Sequence, residues 1–146
     1  LPGGPLNLPT AIVLFNDETL AVLETNGCRI RLFGLDGTPG RIVGGPGFTP
    51  GLFHYPGGFA VHDGLLWVAD TGNHRVQLVD KYGSVEQVIG MLGDGPGRLR
   101  RPRDVACLED GTVVVLDEGH KAIRGYDRDG KVRFDHSYKL VASTTK

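Results

Sequence analysis

Residues 56–83, PGGFAVHDGLLWVADTGNHRVQLVDKYG, hold three short apolar runs separated by turn residues. The runs at 59–61, 65–69 and 75–79 are rich in Val and Leu, and a fourth run, in SVEQVIG, follows Gly83. Apolar runs of this length between turns predict β-strands, and turns this short predict antiparallel neighbours. The stretch therefore predicts a four-stranded antiparallel meander.

The same order of features occurs three times along the chain. The markers are Pro9, Pro56 and Pro102, 47 and 46 residues apart, and Gly37, Gly83 and Gly130, 46 and 47 apart. In each copy we predict strand A (11–14, 59–61, 105–108), strand B (20–23, 65–69, 113–116), strand C (29–33, 75–79, 122–126) and strand D after the repeated Gly. The strand B runs are almost uninterruptedly apolar and predict burial on both faces, whereas strand C alternates polar and apolar residues. Four-stranded repeats of this length are typical of β-propeller blades.

The predicted fold class is all-β, a β-propeller with three four-stranded blades in this chain, half of a six-bladed propeller. We predict that residues 1–8 form a connector into the first blade, 9–47 blade 1, 48–97 a connector and blade 2, 98–138 a connector and blade 3, and 139–146 a polar tail. Three residues before each marker proline stands an apolar residue, Leu6, Phe53 or Leu99. We expect these three side chains to anchor the connectors.

Composition supports this class and limits the function. The 146 residues include 23 Gly and 9 Pro, which argues against long helices, and 40% hydrophobic residues, which indicates a packed core. A net charge of −1 gives no global attraction to nucleic acid or membranes. No apolar run approaches the ~20 residues of a membrane span, so we predict a soluble chain. Only two cysteines, Cys28 and Cys107, occur, and we expect reduced thiols and a cytoplasmic location.

The second copy resembles the NHL-repeat family. The resemblance is carried by the turn Asp70-Thr71-Gly72-Asn73-His74-Arg75, with Asn73, His74 and Leu78 as the namesake residues. The other copies match in part: the first keeps Glu24, Asn26, Gly27 and Arg29, and the third keeps Asp117, Gly119, His120 and Ile123 with Ala122 in place of the arginine.

The resemblance implies a closed propeller, usually of six blades. Three blades would leave two outward apolar faces in water, which a soluble protein tolerates poorly. We therefore expect the remaining blades to come from the rest of a longer chain or from homodimerisation.

One carboxylate follows strand B in each copy, at Glu24, Asp70 and Asp117. Acidic residues in tight turns usually accept hydrogen bonds from turn N–H groups, and Arg29 and Arg75 stand five residues on, where they can form ion pairs. We expect a structural role for these carboxylates rather than a metal site.

The residues suited to catalysis do not form a recognisable set. Related six-bladed lyases and lactonases bind zinc or calcium in the central channel through His or carboxylate residues of strand A. At the start of strand A, the three copies of this chain have Thr10, Gly57 and Arg103 at one register position and Ala11, Gly58 and Asp104 at the next, which is not a ligand set. No nucleophile elbow or zinc-helix motif occurs. We therefore predict a non-catalytic protein with no cofactor and no metal. A metal-dependent propeller lyase or lactonase is the alternative.

Trp67 lies in the most apolar strand and is expected in the core.

Charge is sorted between the two ends of the predicted blades. The D-to-A connectors and B-to-C turns share one end, which is mildly basic because of Arg98, Arg100, Arg101 and Arg103. The opposite end collects acidic residues, namely Asp17, Glu18, Asp36, Asp63, Asp80, Glu109, Asp110, Asp127 and Asp129. We predict a binding surface at the basic end consisting of Arg98, Arg100, Arg101, Arg103, Arg75, His74, Lys121, His54 and Tyr55. A protein partner is expected, as in ubiquitin ligases of the family. There are two alternatives. The surface binds single-stranded RNA, or the arginines only contact solvent and keep the connector polar.

Overall fold

The computed structural model describes residues 2–137, which form three four-stranded antiparallel β-sheets. Within each sheet the strands pair in chain order. The strands are β1 (Pro9–Asn16), β2 (Thr19–Glu24), β3 (Arg29–Gly34) and β4 (Pro39–Gly44) in blade 1, β5 (Gly58–His62), β6 (Leu65–Asp70), β7 (Arg75–Val79) and β8 (Val85–Ile89) in blade 2, and β9 (Pro102–Cys107), β10 (Val113–Asp117), β11 (Ala122–Tyr126) and β12 (Val132–Ser137) in blade 3. A 3-10 turn, Thr71–Asn73, follows β6. Among these residues no helix is long and apolar enough to cross a membrane. The predicted all-β meander is confirmed.

Strand boundaries follow backbone pairing more closely than side-chain pattern. The predicted bounds of β7 and β11 are correct, but β9 begins at Pro102, three residues earlier than predicted, and ends at Cys107. Its polar start continues the ladder because Leu116 of β10 pairs with Asp104 and Asp117 pairs with Pro102. The predicted polar tail at 139–146 lies outside the described residues.

Two hydrophobic clusters join the blades. One contains Phe53 and packs blade 1 against blade 2, and the other contains Leu99 and packs blade 2 against blade 3. Trp67 belongs to the second cluster and is 2% exposed, so its predicted core position is confirmed. Burying an apolar side chain such as that of Phe53 or Leu99 contributes roughly 1.5–3 kcal/mol. These clusters therefore make the main contribution to the packing of one blade on the next.

The connector anchors fit against a repeated glycine. Phe53 and Leu99 are both 0% exposed. A Cβ on Gly44 would lie 2.3 Å from the Phe53 ring, and a Cβ on Gly90 would lie 2.5 Å from Leu99 Cδ1. Both glycines have positive φ, +87° and +88°, so any other residue there would also be strained. The prediction that Leu6 is a third anchor is wrong, since it is 40% exposed. No described blade precedes blade 1 to cover it.

The outward faces of blades 1 and 3 are apolar and uncovered. On blade 1, Ile12 and Leu14 are 63% and 55% exposed. On blade 3, Leu116 and Ile123 are 47% and 36% exposed, beside half-buried Val114. We call these the first seam face and the last seam face. The prediction that strand B is buried on both faces therefore holds for β6 but is wrong for β10, whose outer face meets no described blade.

Candidate functional site

The connectors between blades lie against the B-to-C turns at one end of the sheets. The Thr25 N–H donates to Leu8 O (3.0 Å), the Gly72 N–H to His54 O (2.8 Å), and the Glu118 N–H to Arg101 O (3.0 Å). We call residues 2–8, 45–57 and 90–101 connectors 1, 2 and 3, and the end where they lie the connector face. The predicted grouping of connectors with these turns is confirmed.

A fully buried carboxylate holds each connector. Glu24, Asp70 and Asp117 all have 0% exposure. Their backbone donors on the connectors are Asn7 N to Glu24 (2.7 Å), His54 N to Asp70 (2.8 Å), and Arg100 N and Arg101 N to Asp117 (3.0 and 2.9 Å). The prediction that turn N–H groups are the partners is correct only in part, for Asp117, which also accepts from Gly119 N (3.1 Å). The carboxylates bind connectors because those donors would otherwise be unpaired.

Cationic side chains balance the buried charge. Arg29 Nε lies 3.0 Å from Glu24, and Arg75 Nε lies 2.9 Å from Asp70, so both predicted ion pairs are confirmed. In blade 3 an alanine takes the place of the arginine. The cation beside Asp117 is Arg124, whose Nη1 lies 3.4 Å from the carboxylate, and His120 Nδ1 lies 2.8 Å from it. A paired and hydrogen-bonded carboxylate can be buried without the large cost of an isolated charge.

A second polar residue, seven positions after each carboxylate, completes the connector contacts. Arg31 donates to Gly4 O (2.6 Å), Gln77 donates to Leu52 O (2.8 Å), and Arg124 donates to Arg98 O. Each is nearly or fully buried. These residues were not predicted from the sequence, although the signal was present as a polar residue at the same register in every strand C. The carboxylate and this residue together fix each connector to its blade.

Acid should weaken this attachment. Burial raises the pKa of Glu24, but hydrogen bonds from Arg31, Arg29 and the Asn7 N–H outweigh it and hold the pKa below its usual value. Burial likewise raises the pKa of Asp117, and the N–H groups of Arg101 and Arg100 bring it below its usual value. Both groups are thus easier to protonate in the unfolded chain, so their stabilisation is complete above the ordinary carboxyl pKa of about 4 and is lost as pH falls through the lower folded values.

We therefore expect the free energy of unfolding, measured in urea, to be level from pH 7 to about 5 and to fall steadily below about pH 4. A Glu24→Gln variant should be less stable at neutral pH and should lose less stability on acidification. Equal stability at pH 7 and pH 3 would contradict the assignment.

A cavity of about 630 Å³ opens on the connector face where connectors 2 and 3 approach each other. Four predicted binding residues line it: His54, Tyr55, Arg101 and Arg103. Tyr55 is 50% exposed, and the His54 ring contacts it with 4.7 Å between centroids. Phe48 is 73% exposed, and its ring centroid lies 5.7 Å from that of His54. The cavity thus combines an aromatic side with a cationic side.

The two arginines of the cavity differ in availability. Arg101 Nε pairs with Glu118 at 2.6 Å, and both side chains are more than half exposed. Arg103 is exposed, and the one hydrogen bond that its side chain makes within residues 2–137 is a long contact of 3.5 Å to Gly57 O. An exposed ion pair such as Arg101–Glu118 is worth little and exchanges readily with a ligand. Arg103 is therefore the cation most available to a partner.

The other predicted binding residues lie away from this cavity. Arg75 is part of the buried carboxylate cluster and is 13% exposed. Arg100 pairs with Asp94 at 2.7 Å, and Arg98 lies 3.0 Å from the Met91 sulfur. His74 Nδ1 lies 2.6 Å from Arg100 O. Lys121 is exposed and has no ion pair among the residues that the structure describes. Sequence alone could not separate these from the cavity residues, because all are polar and near the same end.

No group of three or more His, Cys, Asp or Glu residues within 2–137 is placed to hold a metal ion. Both cysteines are free, with Cys28 buried and Cys107 half-buried.

Residues 53–77 match the sequence model of the NHL repeat. Relatives include a peptidyl-alpha-hydroxyglycine alpha-amidating lyase of Caenorhabditis elegans, 30% identical over 65% of this chain, the human E3 ubiquitin-protein ligase NHLRC1, 33% identical over 48%, and the Drosophila melanogaster protein brain tumor, 34% identical over 49%. The chain spans 27%, 18% and 7% of their respective lengths. The predicted resemblance to NHL-repeat proteins is confirmed.

Solved propeller structures share the fold. A virginiamycin B lyase of Staphylococcus aureus superposes with a TM-score of 0.72 over 96% of this chain and 44% of its own, at 18% identity. A chain of a nidogen/laminin complex superposes with a TM-score of 0.68 over 89% of this chain and 47% of its own, at 19% identity. At these identities the likeness shows the fold alone.

Proposed function

We propose that this NHL-repeat β-propeller segment is a non-catalytic interaction module that binds a protein partner through the connector face. The observation that carries the proposal is the cavity between connectors 2 and 3, where exposed Tyr55 and Arg103 lie beside His54 and Arg101. Tyrosine and arginine are among the residue types that dominate binding energy at protein interfaces. The buried carboxylates support the proposal because they fix the connectors before a partner arrives, which reduces the entropy lost on binding.

The relatives support this class of function. A ubiquitin ligase among them suggests that the segment serves as the substrate-recognition part of a larger protein. The partner is expected to present acidic and aromatic groups, since the cavity offers cations and aromatic rings.

A peptide-display selection against the chain tests the proposal. Peptides selected by the wild type should bind a variant carrying Arg101→Ala and Arg103→Ala about tenfold or more weakly, the usual loss for two interface arginines. The matched control carries Arg41→Ala and Lys81→Ala, because Arg41 packs on Tyr82 away from the connector face and both residues are exposed. The control should bind as the wild type does. Selected peptides that bind the Arg101→Ala, Arg103→Ala variant as tightly as the wild type would contradict the proposal.

Single-stranded RNA is the competing ligand, because the same aromatic and cationic groups could stack bases and neutralise phosphates. Titration with polyuridylate distinguishes the two. Strong, salt-dependent binding that is lost with Arg101 and Arg103, without any selected peptide, would favour RNA.

The lyase relative makes a metal-dependent propeller enzyme the other competitor. Stoichiometric zinc or calcium in the purified protein would favour it over a binding module.

We also propose that further blades, from a longer chain or a second copy, cover the two seam faces. Apolar side chains as exposed as Ile12 and Leu116, at 63% and 47%, support this.

A further inference from the structure

A second cavity, of about 470 Å³, lies between blades 2 and 3 at the end opposite the connector face. The A-to-B turns of both blades and the C-to-D turn of blade 3 line it, together with Leu65, Trp67 and Leu78. Neither seam face contributes to it, so the described blades complete it. The volume lies within the range typical of ligand pockets.

The rim of this cavity carries excess negative charge. Five carboxylates line it, Asp63, Glu109, Asp110, Asp127 and Asp129, against two arginines, Arg128 and Arg133. Arg128 lies 3.5 Å from Glu86, which is outside the cavity, and Arg133 lies 3.6 Å from Asp110.

Two of the five carboxylates remain without a partner among the described residues. Asp110 and Asp127 accept turn N–H groups, and Asp63 lies 3.3 Å from His62. Glu109 and Asp129 are exposed, and their side chains make no hydrogen bond or ion pair within residues 2–137. These two are free to receive a cation.

Trp67 supplies an independent indication of a ligand. Its side chain is 2% exposed, yet no described residue accepts a hydrogen bond from its indole N–H. The indole nitrogen is nevertheless not fully enclosed by protein atoms, and Trp67 lines this cavity. The N–H therefore opens into the cavity. A buried indole N–H usually has an acceptor, and here a ligand would provide it.

We propose that this cavity binds a lysine or arginine side chain presented by a segment of a partner protein. The cationic head contacts Glu109 and Asp129, the alkyl stem packs over Leu65 and Leu78, and a main-chain carbonyl of the segment accepts from the Trp67 indole N–H. Long cationic side chains bury their stems along apolar surface in this way. A metal ion fits less well, because the described residues form no group of three or more ligands. This site is distinct from the connector face and does not depend on its function.

The single tryptophan of the chain gives a direct readout. We would titrate the ¹⁵N-labelled chain with the blocked peptide acetyl-Gly-Lys-Gly-amide and follow the Trp67 indole N–H resonance. The resonance should move in a saturable manner, and acetyl-Gly-Gln-Gly-amide should not move it. Movement by both peptides alike, or by neither, would overturn the proposal.

Variants locate the binding. Glu109→Gln combined with Asp129→Asn should weaken the lysine peptide by about fivefold or more, the effect of losing two partly solvated charge contacts. The matched control, Asp17→Asn with Glu18→Gln, removes the same charge from the exposed A-to-B turn of blade 1. It should leave the affinity unchanged. An equal loss in both double variants would show a general field rather than a site and would overturn the proposal.

Discussion

Replacing Asp70 with alanine is expected to lower the free energy of unfolding by about 3–5 kcal/mol, the range found when one member of a buried ion pair is removed. Asp70 is fully buried and accepts four hydrogen bonds, from His54 N (2.8 Å) and from the side chains of Asn73, Arg75 and Gln77 (2.9 Å each). Alanine would leave these donors without an acceptor, and the Arg75 charge would lose its counterion. Since about 1 kcal/mol shifts the midpoint of a domain of this size by a few degrees, thermal unfolding should occur roughly 10 °C lower.

Two further variants separate the causes of this effect. Asp17→Ala removes an exposed carboxylate from a turn of blade 1 and should change stability by less than about 0.5 kcal/mol. Asp70→Asn keeps an acceptor for the His54 N–H but turns an amide N–H₂ towards the other donors, and it should lie between the wild type and alanine. A loss of less than about 1 kcal/mol in Asp70→Ala would contradict the role given to the buried carboxylates.

The consequence for function is that the shape of the connector face depends on buried groups. Connector 2 reaches the surface at Tyr55, and one residue earlier its backbone is held by Asp70. A change at Asp70 should therefore disturb binding at the connector face although Asp70 itself touches no ligand.

The blades were predictable from the sequence because their signals are local and repeated. The marker prolines and glycines recur at a fixed spacing, and the runs at 75–79 and 122–126 coincide with β7 and β11. The burial of strand B was harder to predict, because it depends on whether another blade follows. Ala69 of β6 is fully buried in the cluster that packs blade 2 against blade 3, whereas Leu116 of β10 is 47% exposed because no described blade covers its outer face.

The polar contacts of the connectors were not predictable from the sequence to the same degree. The ion pairs of Arg29 and Arg75 followed from their spacing, since residues five apart across a short turn face each other. The partners of Asp70 and Glu24 lie 16 and 17 residues upstream, at His54 and Asn7, and no local pattern signals such contacts. Only the path of the folded connector brings them together.

The candidate site was predicted as a region rather than as a set of side chains. Nine residues were expected on one surface, and four of them line the cavity. Charge alone could not show that Arg75 would pair with a buried carboxylate while Arg103 stayed exposed. The cavity at the opposite end was missed because Trp67 was assigned to the core, which is correct for its ring but leaves the indole N–H unexplained.

The second large effect concerns the seam faces. Within a propeller each blade buries both faces against its neighbours, and here Ile12, Leu14 and Leu116 remain 63%, 55% and 47% exposed. Water contact with apolar faces of this kind favours association, because each buried apolar side chain contributes roughly 1.5–3 kcal/mol. The isolated 146-residue chain is therefore expected to self-associate through its seam faces, whatever covers them in a longer protein.

Charged substitutions should remove this association. A variant with Ile12→Lys and Leu116→Lys places a cation on each seam face and should be monomeric, because burying an unpaired charge is costly. The matched control carries Leu35→Lys and Leu108→Lys, which alter leucines that are 58% and 46% exposed in turns outside the seam faces. The control should associate as the wild type does.

Sedimentation equilibrium of the wild-type chain tests most directly whether these repeats are blades that require neighbours on both sides. We predict a mass of at least twice the 15.7 kDa of one chain, falling to the monomer mass in the double seam variant alone. A stable wild-type monomer of 15.7 kDa at high concentration would contradict the account.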